Sequence, residues 1–215
     1  MQVRLPYADR SDAGRTLGEV IVRSGPTEQG AVVLGLPRGG MVVAAEVASV
    51  LDAELDVLVV RKLGVPGHAE LAFGAVASGG VRVLNDLVVA REYLEDDQIE
   101  RVTSAELAEL RRREDSYREG RAPLALEGRT VLVVDDGLAT GATARAACVA
   151  VRRQGASRVA LAVPVAPVEA VRALSEVADE VVCPATPWGF RSVGSWYADF
   201  DEVTDDEVRA LLIEG

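Results

Sequence analysis

Apolar residues in this chain fall into short unbroken runs set between longer stretches of helical spacing. Ala31 to Leu36, Leu55 to Val60, Val131 to Val134, Arg158 to Val163 and Glu180 to Val182 show little polar alternation, as strands covered on both faces do. Helical spacing fills the gaps. Asp9 or Ser11 caps a first helix to about Arg23, with Leu17, Val20 and Ile21 inward and Gly25-Pro26 as its stop. Met41 to Leu51 is apolar nearly all round and should be buried. Ala144 to Gln154, Val168 to Ala178 and a Thr204-capped Asp205 to Ile213 follow the same period, the last with acids in its first turn. Strands alternating with helices predict an α/β fold, a parallel sheet with helices on both faces.

Three segments break this rhythm. Leu71 to Ala77 and Val81 to Leu84 flank Ser78-Gly79-Gly80, a hairpin signature, and Leu63 to Glu70 before them reads as a loop. Asp96 to about Glu119 is a charged helix with Ile99, Val102, Leu107, Leu110 and Tyr117 on one face, closed by Gly120 and Pro123. Asp97–Arg101, Glu109–Arg113 and Glu114–Arg118 are favourable pairs four residues apart. The tail from Pro184 to Phe200 gathers Trp188, Phe190, Trp196, Tyr197 and Phe200.

Composition narrows the class without changing it. With 215 residues, 49% apolar and 4% aromatic, the chain suits one domain, residues 1–215, with a sizeable core. A net charge of −11 argues against a nucleic-acid partner. A phosphate ligand must then be met by local Arg, Lys and backbone N–H groups. Cys148 and Cys183 are too few for a disulfide framework and are expected as buried free thiols. No signal-peptide core and no run of membrane-spanning length is present, so no membrane association and a cytoplasmic setting are expected.

The candidate chemistry centres on Val131 to Thr143. A buried strand, Val131 to Val134, ends in Asp135 and Asp136. Then come Gly137-Leu138-Ala139-Thr140-Gly141-Ala142-Thr143 and a helix. In open α/β sheets ligands bind beyond the carboxyl ends of the strands. A loop of small residues lets several N–H groups converge, and the helix start adds partial positive charge, which makes a cradle for a phosphate. The two carboxylates would repel a phosphate but can accept hydrogen bonds from neighbouring hydroxyls, as on a ribose. Other phosphate motifs are absent: no lysine follows Gly141 as in a P-loop, and there is no G-x-G-x-x-G.

This motif resembles the phosphoribosyl pyrophosphate (PRPP) signature of the type I phosphoribosyltransferases. The resemblance implies that family's fold, with a flexible hairpin and a small hood, and displacement of pyrophosphate from PRPP by a nitrogen nucleophile such as a nucleobase. It implies that Asp135 and Asp136 hold the ribose hydroxyls and that Ala139, Thr140, Gly141, Ala142 and Thr143 hold the 5′-phosphate. Gly137 replaces the larger apolar residue usual after the acids. Leu36-Pro37-Arg38-Gly39-Gly40 resembles the family's pyrophosphate loop, implying pyrophosphate contacts from Pro37, Arg38, Gly39 and Gly40 and a non-prolyl cis bond before Arg38. Arg61 and Lys62, read at a strand end, would join them. Residues 62–85 resemble the mobile loop and hairpin of adenine-type members. Segments 1–25 and 184–215 would form the hood over the acceptor.

Ala139 stands where hypoxanthine-type members carry an acid that meets the base, so a general acid or base must come from elsewhere or be unnecessary. Glu70 is favoured over His68 for that role, beside the plain reading of a loop acid. Trp188 and Phe190 are either the acceptor's stacking surface or part of a small aromatic core, the reading favoured for Trp196, Tyr197 and Phe200. Mg²⁺ would be carried by PRPP and water, with no residue of the chain assigned to it. A homodimer is implied as well. The alternative function is a PRPP-binding regulator without turnover.

Overall fold

The computed structural model describes residues 3–24 and 30–214. Its centre is a parallel sheet of five strands: β1 (Val32–Gly35), β2 (Glu54–Val57), β6 (Thr130–Val134), β7 (Arg158–Ala162) and β8 (Glu180–Val182), in spatial order β2-β1-β6-β7-β8. β6 is buried at every position because it lies mid-sheet, between β1 and β7. Alternation along it divides the core. Leu132 and Val134 pack on one face with helices α1 (Arg10–Ser24), α2 (Gly39–Leu51), α4 (Asp96–Arg118) and α7 (Asp205–Glu214). Val131 and Val133 pack on the other with α5 (Ala142–Arg153) and α6 (Val168–Leu174).

This order places the site. From β1 the chain moves outward to β2 on one side, and from β6 outward to β7 and β8 on the other, so the direction of winding reverses between β1 and β6. Such a switch point leaves a crevice beyond the strand ends. Gly35 is level with Val134 in the register, and the Leu36 N–H still donates to the Val134 carbonyl at 2.9 Å. The loops after the two strands therefore start side by side.

The hairpin extends further than its sequence suggests. β3 (Val60–Val65), β4 (His68–Ala77) and β5 (Val81–Leu84) form an antiparallel sheet in the order β3-β4-β5. The apolar run Leu55 to Val60 is thus not one strand: it leaves the parallel sheet at Val57 and enters the hairpin sheet at Val60. Arg61 and Lys62, expected at a strand's carboxyl end, lie inside β3 opposite Val76 and Ala75. The expected loop Leu63 to Glu70 is strand on both sides of a turn at Pro66-Gly67. A short helix, α3 (Asp86–Arg91), follows β5, capped by the Asn85 side chain.

Other expectations need smaller changes. α2 starts two residues early, at Gly39, and is not buried all round, with Ser49 and Val50 exposed. α6 ends at Leu174. Cys148 is buried, but Cys183 is partly exposed. Asp9 caps α1, its Oδ1 accepting from the Asp12 N–H at 2.8 Å. The expected Gly25-Pro26 stop lies outside the described residues. All three ion pairs read from α4's spacing are present. Thr204 caps α7, its Oγ1 accepting from the Glu207 N–H at 3.2 Å while the Glu207 carboxylate accepts from Thr204. Among the described residues no helix is long and apolar enough to cross a membrane.

Candidate active site

Asp135 and Asp136 stand at the end of the central strand, each half-buried and held through one oxygen. Asp135 Oδ1 accepts from the Asp136 N–H at 2.9 Å. Asp136 Oδ2 accepts from Arg10 Nε at 2.8 Å. Among the described residues neither Asp135 Oδ2 nor Asp136 Oδ1 has a hydrogen-bond partner. The pair therefore presents two fixed carboxylates, each with one oxygen free to accept. Burial pushes both carboxyls above the ordinary range, and on Asp135 the charge of Asp136 adds to that push. Arg10 pulls both the other way.

The loop after β1 is shaped against this pair. The Pro37–Arg38 peptide is cis, as the resemblance implied. Gly39 and Gly40 open α2 where no side chain fits: a Cβ on Gly39 would lie 2.0 Å from Asp136 Oδ2, and one on Gly40 would lie 2.9 Å from the Asp135 Cα. Arg38 is exposed, and its guanidinium pairs with Glu202 in the tail. On the other flank Leu138 is buried, its N–H donating to the Val165 carbonyl at 3.0 Å. Ala139, Thr140 and Ala142 are exposed, Thr143 is half-buried, and Gly141 takes the left-handed turn (φ 74°) that starts α5. The first N–H groups of a helix have no partner within it. Those at the head of α5 and the Thr140 and Thr143 hydroxyls thus offer donors to an anion.

The other expected site residues spread around this centre. Arg61 pairs with Glu106 of α4 at 2.6 Å. Lys62 is exposed and lines a cavity of about 430 Å³ with Ala142 and Arg145 at the start of α5. His68 and Glu70 are exposed near the β3–β4 turn, 3.5 Å apart. Trp188 is fully exposed, and Phe190 stacks on Trp196 with ring centroids 6.2 Å apart.

Reasoning from sequence expected a hood from the chain's two ends but missed the contacts they make with the acidic pair. Arg10, from the first turn of α1, reaches Asp136; its Nη1 donates to the Asp201 carbonyl at 2.7 Å, and its Cζ lies 3.8 Å from the Phe200 ring centroid. The Tyr197 hydroxyl donates to the Asp136 carbonyl, and the Tyr7 hydroxyl to the Pro164 carbonyl at 3.0 Å. Tyr7 and Tyr197 also bridge in parallel. Gly137 is explained by the same tail, since a Cβ there would meet Val193 Cγ1 at 2.6 Å.

Comparison with known proteins fits this geometry. Residues 12–195 match the family described as the phosphoribosyl transferase domain. A Mycobacterium tuberculosis protein, provisionally named a phosphoribosyl transferase, is 52% identical over 206 residues, which is 96% of this chain and 46% of its own length. The chain thus spans about half the length of the curated relatives it matches. The crystal structure of TT1426 from Thermus thermophilus has a TM-score of 0.86 at 47% identity, covering 97% of this chain and 98% of that one. A hypothetical protein from Neisseria gonorrhoeae, solved with bound ppGpp, shares the fold at a TM-score of 0.52 and 14% identity, covering 100% and 98%.

Proposed function

The chain belongs to the type I phosphoribosyltransferase family, and on that premise we propose that it transfers the phosphoribosyl group of PRPP to a nitrogen nucleophile, releasing pyrophosphate. The carrying observation is the Asp135–Asp136 pair, with one free oxygen on each carboxylate, beside the head of α5. Two free acceptors match the two hydroxyls of a ribose, and the loop Ala139 to Thr143 matches its 5′-phosphate. The pyrophosphate then falls to the loop Pro37 to Gly40. There Gly39 and Gly40 allow close backbone approach, and Arg38 must exchange Glu202 for the leaving group. From β3, Lys62 lines the cavity at the head of α5 and is the nearer candidate to join them, whereas Arg61, the adjacent residue on the strand, would first have to leave Glu106.

Breaking the bond at C1 leaves positive charge on the ribose and negative charge on the pyrophosphate. The carboxylates favour the first and Arg38 with the loop N–H groups the second, so the chain acts mainly by positioning and preorganised charge. Members of this family use Mg²⁺ with PRPP. Among the described residues no group of three acids, histidines or cysteines could cage a metal, and Mg²⁺ is ordinarily held by substrate phosphates and water. When bound it would neutralise charge on the leaving group. The acceptor would enter beneath the segments that carry Tyr7, Phe190 and Tyr197, with Trp188 and Phe190 as candidate stacking surfaces. A homodimer and a cytoplasmic setting belong to the same reading and rest on the resemblance alone.

The test is PRPP binding by calorimetry with Mg²⁺ present, then isotopic pyrophosphate exchange against a panel of nitrogen bases. Binding between about 1 μM and 1 mM together with exchange supports the reading. Binding without exchange favours a PRPP-responsive regulator. A folded sample that binds no PRPP overturns both.

A further inference from the structure

Arg10 makes three contacts with three separate features of its guanidinium. Nε meets Asp136 Oδ2 at 2.8 Å, Nη1 meets the Asp201 carbonyl at 2.7 Å, and the planar face lies 3.8 Å from the centre of the Phe200 ring. A lysine cannot make all three, because its ammonium is a point charge without a plane. The ion pair is mostly sheltered, with Arg10 11% and Asp136 16% exposed, so solvent screens it less than an ordinary surface pair. The pyrophosphate loop is also built around it: a methyl on Gly39 would come within 2.7 Å of Arg10 Nε as well as striking Asp136.

We propose that Arg10 is a positioning residue for the ribose-binding carboxylate. It fixes Asp136 through Oδ2, leaves Oδ1 to accept a sugar hydroxyl, and is itself held by the tail at Phe200 and Asp201. The tail after Tyr197 is then part of the PRPP site although it touches no phosphate. This rests on the reading of Asp136 as a ribose acceptor. Among the described residues, the charged and titratable groups facing Asp136 are Asp135 beside it, Arg10 from α1, and Tyr197 from the tail with Tyr7 behind it. Arg10 is the only cation among them, so its removal should leave Asp136 harder to ionise.

The experiment compares wild type, Arg10→Gln, Arg10→Lys and Phe200→Leu. Calorimetry measures PRPP and, separately, inorganic pyrophosphate, each with Mg²⁺. A ¹³C-carboxyl titration by NMR follows Asp136. Arg10→Gln should weaken PRPP by roughly tenfold or more, the scale of one charge-assisted hydrogen bond, weaken pyrophosphate by distinctly less, and move the Asp136 titration upward. Arg10→Lys should restore the titration but not the full affinity. Phe200→Leu should shift PRPP affinity the same way by less, which keeps the test alive if Arg10→Gln folds poorly. Equal loss of PRPP and pyrophosphate affinity, with the Asp136 titration unmoved, makes Arg10 a structural brace and overturns the proposal. Wild-type affinity in folded Arg10→Gln overturns it too. If wild type binds no PRPP, the functional reading fails and takes the ribose role with it, whereas loss confined to the variants leaves that reading standing.

Discussion

Two carboxylates on consecutive residues are costly to keep half-buried, and the cost has a pH sign. Burial raises both carboxyls, so the folded chain binds more protons than the unfolded one above the ordinary carboxylate range. Stability then falls as pH rises from the unfolded value through the raised folded one. Asp135→Asn removes one of the two charges and keeps an oxygen for the Asp136 N–H. It should melt higher at neutral pH, by a gain on the order of 1 kcal/mol or about 2–4 °C, while losing PRPP binding. The gain should shrink as pH falls toward the usual carboxylate range, and melting curves over a pH series show whether it does. Asp136→Asn should keep its circular dichroism and lose turnover by roughly 100-fold, about 3 kcal/mol; wild-type rates in that variant remove the carboxylate from the mechanism. The acidic pair, both loops and their glycines were legible in the sequence because each lies within a short contiguous motif, Leu36 to Gly40 or Val131 to Thr143. Arg10 was not, since its partner lies 126 positions away and nothing local marks the contact. Nor was the reason for Gly137, which depends on Val193 folding back over it.

At the scale of elements, hydrophobic period found the strands of the parallel sheet, but it missed β3 and could not say which sheet a strand joins. Leu55 to Val60 reads as one run because Leu58 and Val59 are buried at the crossing between sheets. The overlooked signal is Asp56, an acid inside that run. A buried charge needs partners, and here it has several. Asp56 Oδ1 accepts from Arg118 Nε at 2.9 Å and from the Val57 N–H at 2.7 Å, while Oδ2 accepts from the Leu124 N–H at 3.0 Å. The network ties the end of α4 and the irregular segment that follows it to β2. Asp56→Ala leaves Arg118 buried without its main partner and should cost about 3–5 kcal/mol of unfolding free energy. Denaturant titration measures this, and a loss below 1 kcal/mol, taken as about the worth of an exposed pair, would mean that water already satisfies the site. The hairpin carries the other test at this scale. Glu70 and His68 share the exposed β3–β4 end, so closure over the ribose would have to bring one of them in. Glu70→Gln should lower turnover while His68→Ala does not. If Glu70→Gln keeps wild-type turnover, the hairpin is only a cover.

The molecule as a whole is acidic, yet its expected ligand is a polyanion. The chain carries −11, and of the cations expected to receive PRPP two are engaged, Arg38 with Glu202 and Arg61 with Glu106, while Arg10 beside them is paired with Asp136. Seen from a distance, those pairs cancel and the net negative field remains. Close in, on the proposed reading, Lys62 and the N–H groups at the head of α5 and along the loop Pro37 to Gly40 would do the attracting. Long-range repulsion with short-range attraction has a definite salt signature. The screening length is about 30 Å at 0.01 M salt and about 8 Å at 0.15 M, so added salt erases the repulsion before it weakens contacts a few ångströms long. PRPP association, followed by stopped flow at fixed free Mg²⁺, should therefore speed up a few-fold across that range, where a site ringed by free cations would slow. Glu202→Gln sharpens the test. It removes one negative charge and releases Arg38, so it should raise the rate most at low salt and flatten the dependence. A rate that falls with salt in wild type would show that the local cations outweigh the whole chain's charge even at a distance, and that the ion pairs at Arg38 and Arg61 are open before PRPP arrives.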